Sequence, residues 1–123
     1  MAQPSREHLF KQRVSACQTT TRRLVEFLQT VAANAGPIDP PTFEVRGVGV
    51  TYWHDGKRFC RLDPKHSKGH VAVLIPGGNR IEMARCGSVS PRTDGEWVFV
   101  SDLRGATRLV PEILAAYDRI ATV

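Results

Sequence analysis

The dipeptide Asp55-Gly56 is the strongest local structural signal in this chain of 123 residues. It separates the aromatic run Tyr52-Trp53-His54 from Lys57-Arg58-Phe59. Asp-Gly suits a two-residue hairpin turn, because both central positions of that turn take positive φ. We therefore predict an antiparallel hairpin in which Trp53 lies opposite Arg58. The same register predicts that Tyr52 lies opposite Phe59 and Thr51 opposite Cys60.

Other segments around this hairpin alternate or are rich in β-branched residues, which is typical of strands. The predicted strands are Phe43–Arg46, Val48–His54, Lys57–Leu62, His70–Ile75, Arg80–Ala84 and Trp97–Ser101. Basic loops are expected after Leu62 and Ala84, and a hairpin turn is expected at Pro76-Gly77-Gly78-Asn79.

Helical patterns lie at both ends of the chain. Apolar or small residues recur at steps of four and three over residues 6–34, at Phe10, Val14, Cys17, Thr21, Leu24, Leu28 and Val31. The Thr19-Thr20-Thr21 run favours a bend or break in this helix. A second helix is predicted over 107–121, with Thr107 as N-cap, Pro111 in the first turn, and a buried stripe of Leu109, Ile113, Leu114, Tyr117 and Ile120.

The order helix, antiparallel strands, helix predicts a single α+β domain with helices on one face of a sheet of five or six strands. The sheet region is expected over residues 43–101. The first apolar stripe is interpreted as a core face, with a homodimer seam as the alternative. The N-terminal residues contain no apolar signal-peptide region, and no apolar run is long enough to span a membrane. A cytosolic protein is therefore expected.

The positive charge is concentrated in the middle of the chain. Between Lys57 and Arg92, eight basic residues stand against two acidic ones, giving +6, while the whole chain is +5. A basic sheet with basic loops predicts a polyanion-binding surface, with DNA or RNA as the expected partner. The alternative is an ordinary solvated face or a protein-binding face. The predicted nucleic-acid contacts are Trp53, Lys57, Arg58, Arg61, Lys65, His66, Lys68, Arg85 and Arg92.

Motifs for catalysis and for cofactors are weak throughout the sequence. Cys60, His66 and His70 form a candidate metal set, with His54 or Cys86 as further ligands, but the C-x5-H-x3-H spacing matches no common zinc pattern. Cys60 as a nucleophile lacks any oxyanion signature. We therefore expect no cofactor and no enzymatic activity.

Several segments taken together resemble the YjbR/MmcQ family of small proteins described as DNA-binding. They are Phe43–Gly47, Gly56–Leu62, His70–Leu74, Gly95–Val100 and Leu114–Ala121. The resemblance implies a double-wing fold whose sheet faces DNA, and it agrees with the charge argument at Lys57 and Arg58. It places Trp97 and Tyr117 in the family pattern, although core packing explains both more simply.

The same outline fits the related YdhG-like families of unknown function, one branch of which is linked to iron delivery. That role would require exposed carboxylates, whereas this sheet region is basic. Two features depart from the pattern: the additional segment Val48 to Asp55 and a longer first helix.

Overall fold

The computed structural model describes residues 5–44, 46–65, 67–90 and 96–122. Four helices and six strands follow one another in this part of the chain. They are α1 (Arg6–Ala16), α2 (Thr19–Ala33), β1 (Thr42–Glu44), β2 (Gly49–His54), β3 (Lys57–Lys65), β4 (His70–Leu74), α3 (Arg80–Ala84), β5 (Ser88–Val89), β6 (Trp97–Val100) and α4 (Leu103–Ala121). The predicted α+β class is confirmed.

The six strands form one antiparallel sheet in the order β1-β2-β3-β4-β6-β5. Helices α2 and α4 pack against each other and against β3. Between them and the sheet lies the core, whose largest fully buried members are Phe59, Leu24, Leu28, Leu62, Ile75, Met83, Leu109 and Ile113. One sheet face is thus covered by helices, as predicted.

The helical region predicted over 6–34 is divided into two helices, with the break directly before the Thr19-Thr20-Thr21 run that suggested one. Cys17 and Gln18 have extended backbones between α1 and α2, next to the β-branched Thr run that lowers helix propensity. The apolar stripe continues across the break, since Phe10 and Leu24 are both buried in the same core.

The predicted Asp55-Gly56 hairpin is present, with φ of 49° at Asp55 and 77° at Gly56. Trp53 pairs with Arg58 as predicted, but Tyr52 pairs with Cys60 rather than Phe59. A β-bulge at Phe59 accounts for the difference: β3 carries one more residue than β2 between these two pairs. Thr51 consequently pairs with Arg61 instead of Cys60.

The strand predicted over Arg80–Ala84 is wrong, because these residues form helix α3. The Asn79 side chain accepts hydrogen bonds from the backbone N–H groups of Ile81 and Glu82 at 2.9 and 3.2 Å. Asn79 followed by glutamate three residues later is a helix-start pattern. The turn at Pro76-Gly77 therefore leads into a helix and not into a hairpin.

The C-terminal helix begins at Leu103, four residues before the predicted N-cap. Asp102 is the cap, and its side chain accepts a hydrogen bond from Gly105 N at 2.7 Å. Pro111 lies well inside the helix rather than in its first turn. Leu109, Ile113 and Tyr117 of the predicted stripe are buried, whereas Leu114 is 37% exposed.

Candidate functional site

The sheet face opposite the helices carries the candidate site and is here called the open face. Ladder pairing places the side chains of Thr42, Thr51, Arg61, Leu74 and Trp97 in one row across five strands. A second row contains Asp63, Ala72, Phe99 and Ser88. The residues that alternate with them along the strands, such as Cys60, Leu62 and Val73, belong to the core.

An ion pair between Arg61 and Asp63 occupies the centre of the open face. Arg61 Nε and Nη2 donate to the two Asp63 carboxylate oxygens at 2.8 and 3.1 Å. The two side chains are only 18% and 6% exposed. Burial raises the pKa of the Asp63 carboxyl, although hydrogen bonding and the charge of Arg61 act in the opposite direction.

Two glycines make room for this ion pair. A Cβ at Gly49 would collide with an Asp63 carboxylate oxygen, and a Cβ at Gly47 would lie 3.0 Å from the other. Gly47 also has a φ of 83°, which glycine adopts without strain. Arg61 Nη2 donates further to the Arg46 carbonyl oxygen at 2.8 Å. The turn between β1 and β2 therefore lies over the centre of the open face.

Partly exposed rings surround the ion pair. The Arg61 guanidinium lies 5.9 Å from the centroid of the Trp97 ring. The His70 and Phe99 rings are 4.8 Å apart, and Trp53 Nε1 donates to Thr42 Oγ1 at 2.8 Å. Both tryptophans of the chain therefore lie on the open face.

Polar contacts fix the edge of the face at β1. Thr51 Oγ1 donates to Glu44 Oε1 at 3.1 Å, and Thr42 Oγ1 donates to the same oxygen at 3.3 Å. Glu44 also raises the pKa of Asp63 as a minor contribution, after burial. The face thus contains two carboxylates among its cations.

The predicted cations do not form a single cluster. Arg58 and Lys65 both lie on the open face, but at opposite ends of β3, about 23 Å apart at the usual rise of a strand. Lys68 follows in the turn that joins β3 to β4. Lys57 pairs with His54, whose ring contacts Tyr117 of α4, so Lys57 belongs to the helix side.

The remaining predicted contacts lie elsewhere or outside the described residues. Arg85 follows α3 and forms an exposed ion pair with Glu82 at 3.4 Å, away from the open face. His66 and Arg92 fall outside the described residues. The structure therefore places Trp53, Arg58, Arg61 and Lys65 of the predicted set on the open face, with Lys68 in the turn at one end of it, but it does not gather them into one cluster.

His70 joins the lysines at the β3–β4 end of the open face. Its pKa is lowered, chiefly by burial and then by the positive charges of Lys68 and Lys65. The imidazole is therefore favoured in its neutral form, with its ring against Phe99.

The candidate metal set of Cys60, His66 and His70 is wrong as a common site. Cys60 is 1% exposed on the helix side, whereas His70 lies on the open face. Burial raises the pKa of the Cys60 thiol to about 12, which also opposes its activation as a nucleophile. Cys86 is buried beside α3, and His66 lies outside the described residues.

The first apolar stripe faces the core of this same chain. Leu24 and Leu28 are 2% and 0% exposed, so these side chains cannot also line a seam between two copies. The core interpretation of the stripe is confirmed. A homodimer through other residues of the first helix stays a prediction.

Sequence reasoning missed the aromatic residues of β6. Core packing is the simpler expectation for Trp97, yet this residue is partly exposed on the open face, whereas Tyr117 is buried at 6% exposure as expected. The alternation Trp97-Val98-Phe99-Val100 is the available signal, because it places both rings on one side of a strand. Which side faces solvent depends on where the helices pack.

Among the described residues, no helix is long and apolar enough to cross a membrane. Comparison with known proteins found no matching family model, no matching curated protein and no matching solved structure.

Proposed function

We propose that this protein is a non-enzymatic module that binds single-stranded nucleic acid on the open face of its sheet. The observation that carries the proposal is the combination, on the sheet face that none of the described helices covers, of four partly exposed rings with cations at both ends. The rings are those of Trp53, His70, Trp97 and Phe99.

The rings favour single strands over duplex. Bases of a single strand are free to stack on aromatic side chains, whereas bases inside a duplex are already stacked on each other. Each base stacked on a protein ring contributes about 1–3 kcal/mol. Because every base has an aromatic face, this mode of binding tolerates many sequences.

The cations would contact the phosphate backbone. Arg58 lies at one end of β3, and Lys65 and Lys68 lie at the other. Their separation of about 23 Å corresponds to the length of several nucleotides rather than to one phosphate. Arg61 contributes less net charge, since Asp63 neutralises it at 2.8 Å, and we assign it the role of holding the Trp97 ring.

Tryptophan fluorescence provides a direct test, because both tryptophans lie on the proposed surface. Addition of a mixed-sequence oligonucleotide of about 20 nucleotides at low salt should quench the tryptophan emission. Single-stranded DNA or RNA should bind more tightly than duplex. The logarithm of the affinity should fall linearly with the logarithm of salt concentration.

Variants separate stacking from charge. Replacing both Lys65 and Lys68 with alanine should reduce the salt slope by about 0.7 for each phosphate that these lysines neutralise. Trp97→Ala should weaken binding roughly 5- to 150-fold, the equivalent of one stacked base, with little change in slope. Lys11→Ala is the matched control, because Lys11 is an exposed cation on α1 and its replacement should leave binding unchanged.

The absence of binding at low salt would refute the proposal. Because Lys11→Ala removes one charge and the Lys65/Lys68 variant removes two, a loss of binding free energy for Lys11→Ala of about half that of the double variant would show that only net charge matters. In that case the open face would have no specific role.

A further inference from the structure

We propose that Asp39, His54 and Asp55 form a binding site for zinc or a similar late first-row divalent cation. One ligand atom from each of these residues lies within 4.8 Å of the other two. The site joins the segment before β1 to the β2–β3 hairpin. It is distinct from the open face, because His54 faces the helix side, where its ring lies against Tyr117.

The ligand atoms are close to the spacing that zinc requires. Zinc bonds of about 2.0–2.2 Å in a tetrahedral site place neighbouring ligand atoms about 3.4 Å apart. Each atom of the present triangle needs an inward shift of less than about 1 Å to reach that geometry. Asp55 has a side chain that is 79% exposed, so it can turn without disturbing the core.

The other two ligands are held in place by the fold. Asp39 N donates to the Trp53 carbonyl oxygen at 2.9 Å, while its carboxylate accepts from Gly56 N at 2.9 Å and from Asp55 N at 3.3 Å. Pro40 and Pro41 follow directly and stiffen this segment. The Asp39 carboxylate is therefore fixed beside the hairpin turn and keeps free lone pairs on its oxygens.

The His54 ring is fixed by packing. It lies 4.6 Å from the Tyr117 ring, and the Tyr117 hydroxyl donates to the Pro37 carbonyl oxygen at 2.7 Å. His54 Nε2 lies 3.5 Å from the nearer Asp55 carboxylate oxygen, and its side chain is 15% exposed. One imidazole nitrogen thus points toward the carboxylates with little freedom to rotate away.

The donor set selects the class of metal. Imidazole nitrogen together with carboxylate oxygen suits zinc, cobalt and nickel, whereas calcium requires six to eight oxygen ligands. Three protein ligands would leave a fourth position for water. The two carboxylates carry a charge of −2, which a dication balances. Lys57, the hairpin partner of His54, is exposed and could compensate only one of these two negative charges.

Titration of the full chain with zinc or cobalt tests this proposal. Calorimetry should show one ion per chain, and zinc at about 100 times its Kd should raise Tm by about 10 °C. Bound cobalt should give the visible absorption of a tetrahedral site without a sulfur charge-transfer band, because Cys17, Cys60 and Cys86 are all buried.

His70→Gln is the matched control for His54→Gln. Both histidines are partly buried and lie against an aromatic ring, at 4.8 and 4.6 Å. His54→Gln and Asp55→Asn should each weaken metal binding at least about tenfold, and His70→Gln should not. Asp55→Asn changes an exposed side chain at a turn position that asparagine tolerates, so it should fold.

The proposal is overturned if the wild-type chain binds no metal. It is also overturned if His54→Gln and Asp55→Asn leave metal binding intact, or if His70→Gln weakens it as much as they do. Neither readout involves nucleic acid, so the outcome is independent of the function proposed for the open face.

Discussion

Replacing Asp63 with alanine would leave the Arg61 guanidinium without its carboxylate partner at the centre of the sheet. Two hydrogen bonds of 2.8 and 3.1 Å would be removed. Water has little access to replace them, because the Arg61 side chain is only 18% exposed. The variant therefore isolates the contribution of a largely buried ion pair.

Removing one partner of a buried ion pair typically costs about 3–5 kcal/mol. Arg61 would keep its hydrogen bond to the Arg46 carbonyl oxygen and its contact with Trp97, so we expect the lower end, about 3 kcal/mol. For a domain of this size that corresponds to a fall in Tm of about 10 °C. Glu7→Ala is the control, because its ion pair with Lys11 is exposed and is worth only about 0.3–0.5 kcal/mol.

Urea denaturation of both variants gives the free energies of unfolding. A double-mutant cycle with Arg61→Ala should return a coupling energy of about 1–3 kcal/mol. If Asp63→Ala and Glu7→Ala cost the same, the ion pair does not stabilise the fold in the way described. The Asp63 variant also removes a negative charge from the open face, so oligonucleotide binding by the folded variant should tighten.

Three further predictions concern the core, a thiol and a helix start. Leu24→Glu should prevent folding, because it places a carboxylate where the side chain is only 2% exposed. Circular dichroism should then show no cooperative unfolding transition, and a folded monomer would contradict this prediction. Between pH 9 and 12 the unfolded chain should release the Cys60 proton that the folded chain keeps, so stability should fall with rising pH by up to about 1.4 kcal/mol per pH unit. In parallel urea titrations, the free energy of unfolding of Cys60→Ala should not show this decrease with pH. The same dependence on pH in the variant and the wild type would refute the prediction. Asp102→Ala should cost about 1 kcal/mol by removing the hydrogen bond to Gly105 N, more than Thr107→Ala in the same assay.

The parts of the fold that the sequence predicted correctly depend on local patterns. The Asp55-Gly56 turn needs positive φ at both positions, and few other residue pairs provide it. The stripe through Phe10, Leu24 and Leu28 identified the buried side of two helices, because helical periodicity survived the break between them.

The errors came from competition between local signals. Arg80–Ala84 alternates like a strand, yet the Asn79 cap decided in favour of a helix. Thr107 is a good cap residue, but Asp102 lies earlier in the chain and is the N-cap of the helix. In both cases hydrogen bonds of one side chain outweighed the periodicity of the segment that follows.

The candidate site could be predicted only in part. Charge counting identified Arg58, Lys65 and Lys68, but it could not show that Asp63 neutralises Arg61, since that depends on which side chains share a strand face. The proximity of Asp39 to His54 and Asp55 could not be predicted either, because it depends on how the segment before β1 folds back.

The extra residue at Phe59 also determines the arrangement of charge on the sheet. In a regular strand, residues three apart point to opposite faces, so Arg58 and Arg61 would lie on different sides. The bulge changes the parity of β3 and puts both arginines on the open face, while Phe59 and Cys60 enter the core together. Deletion of Phe59 would remove the bulge and leave Arg58 directly before Cys60 with the same ladder partners, so Arg58 and Arg61 would be two residues apart and would both stay on the open face. A regular β3 that kept Phe59 would instead turn Arg58 to the helix side, so the bulge affects the charge of the open face although Phe59 itself is entirely buried.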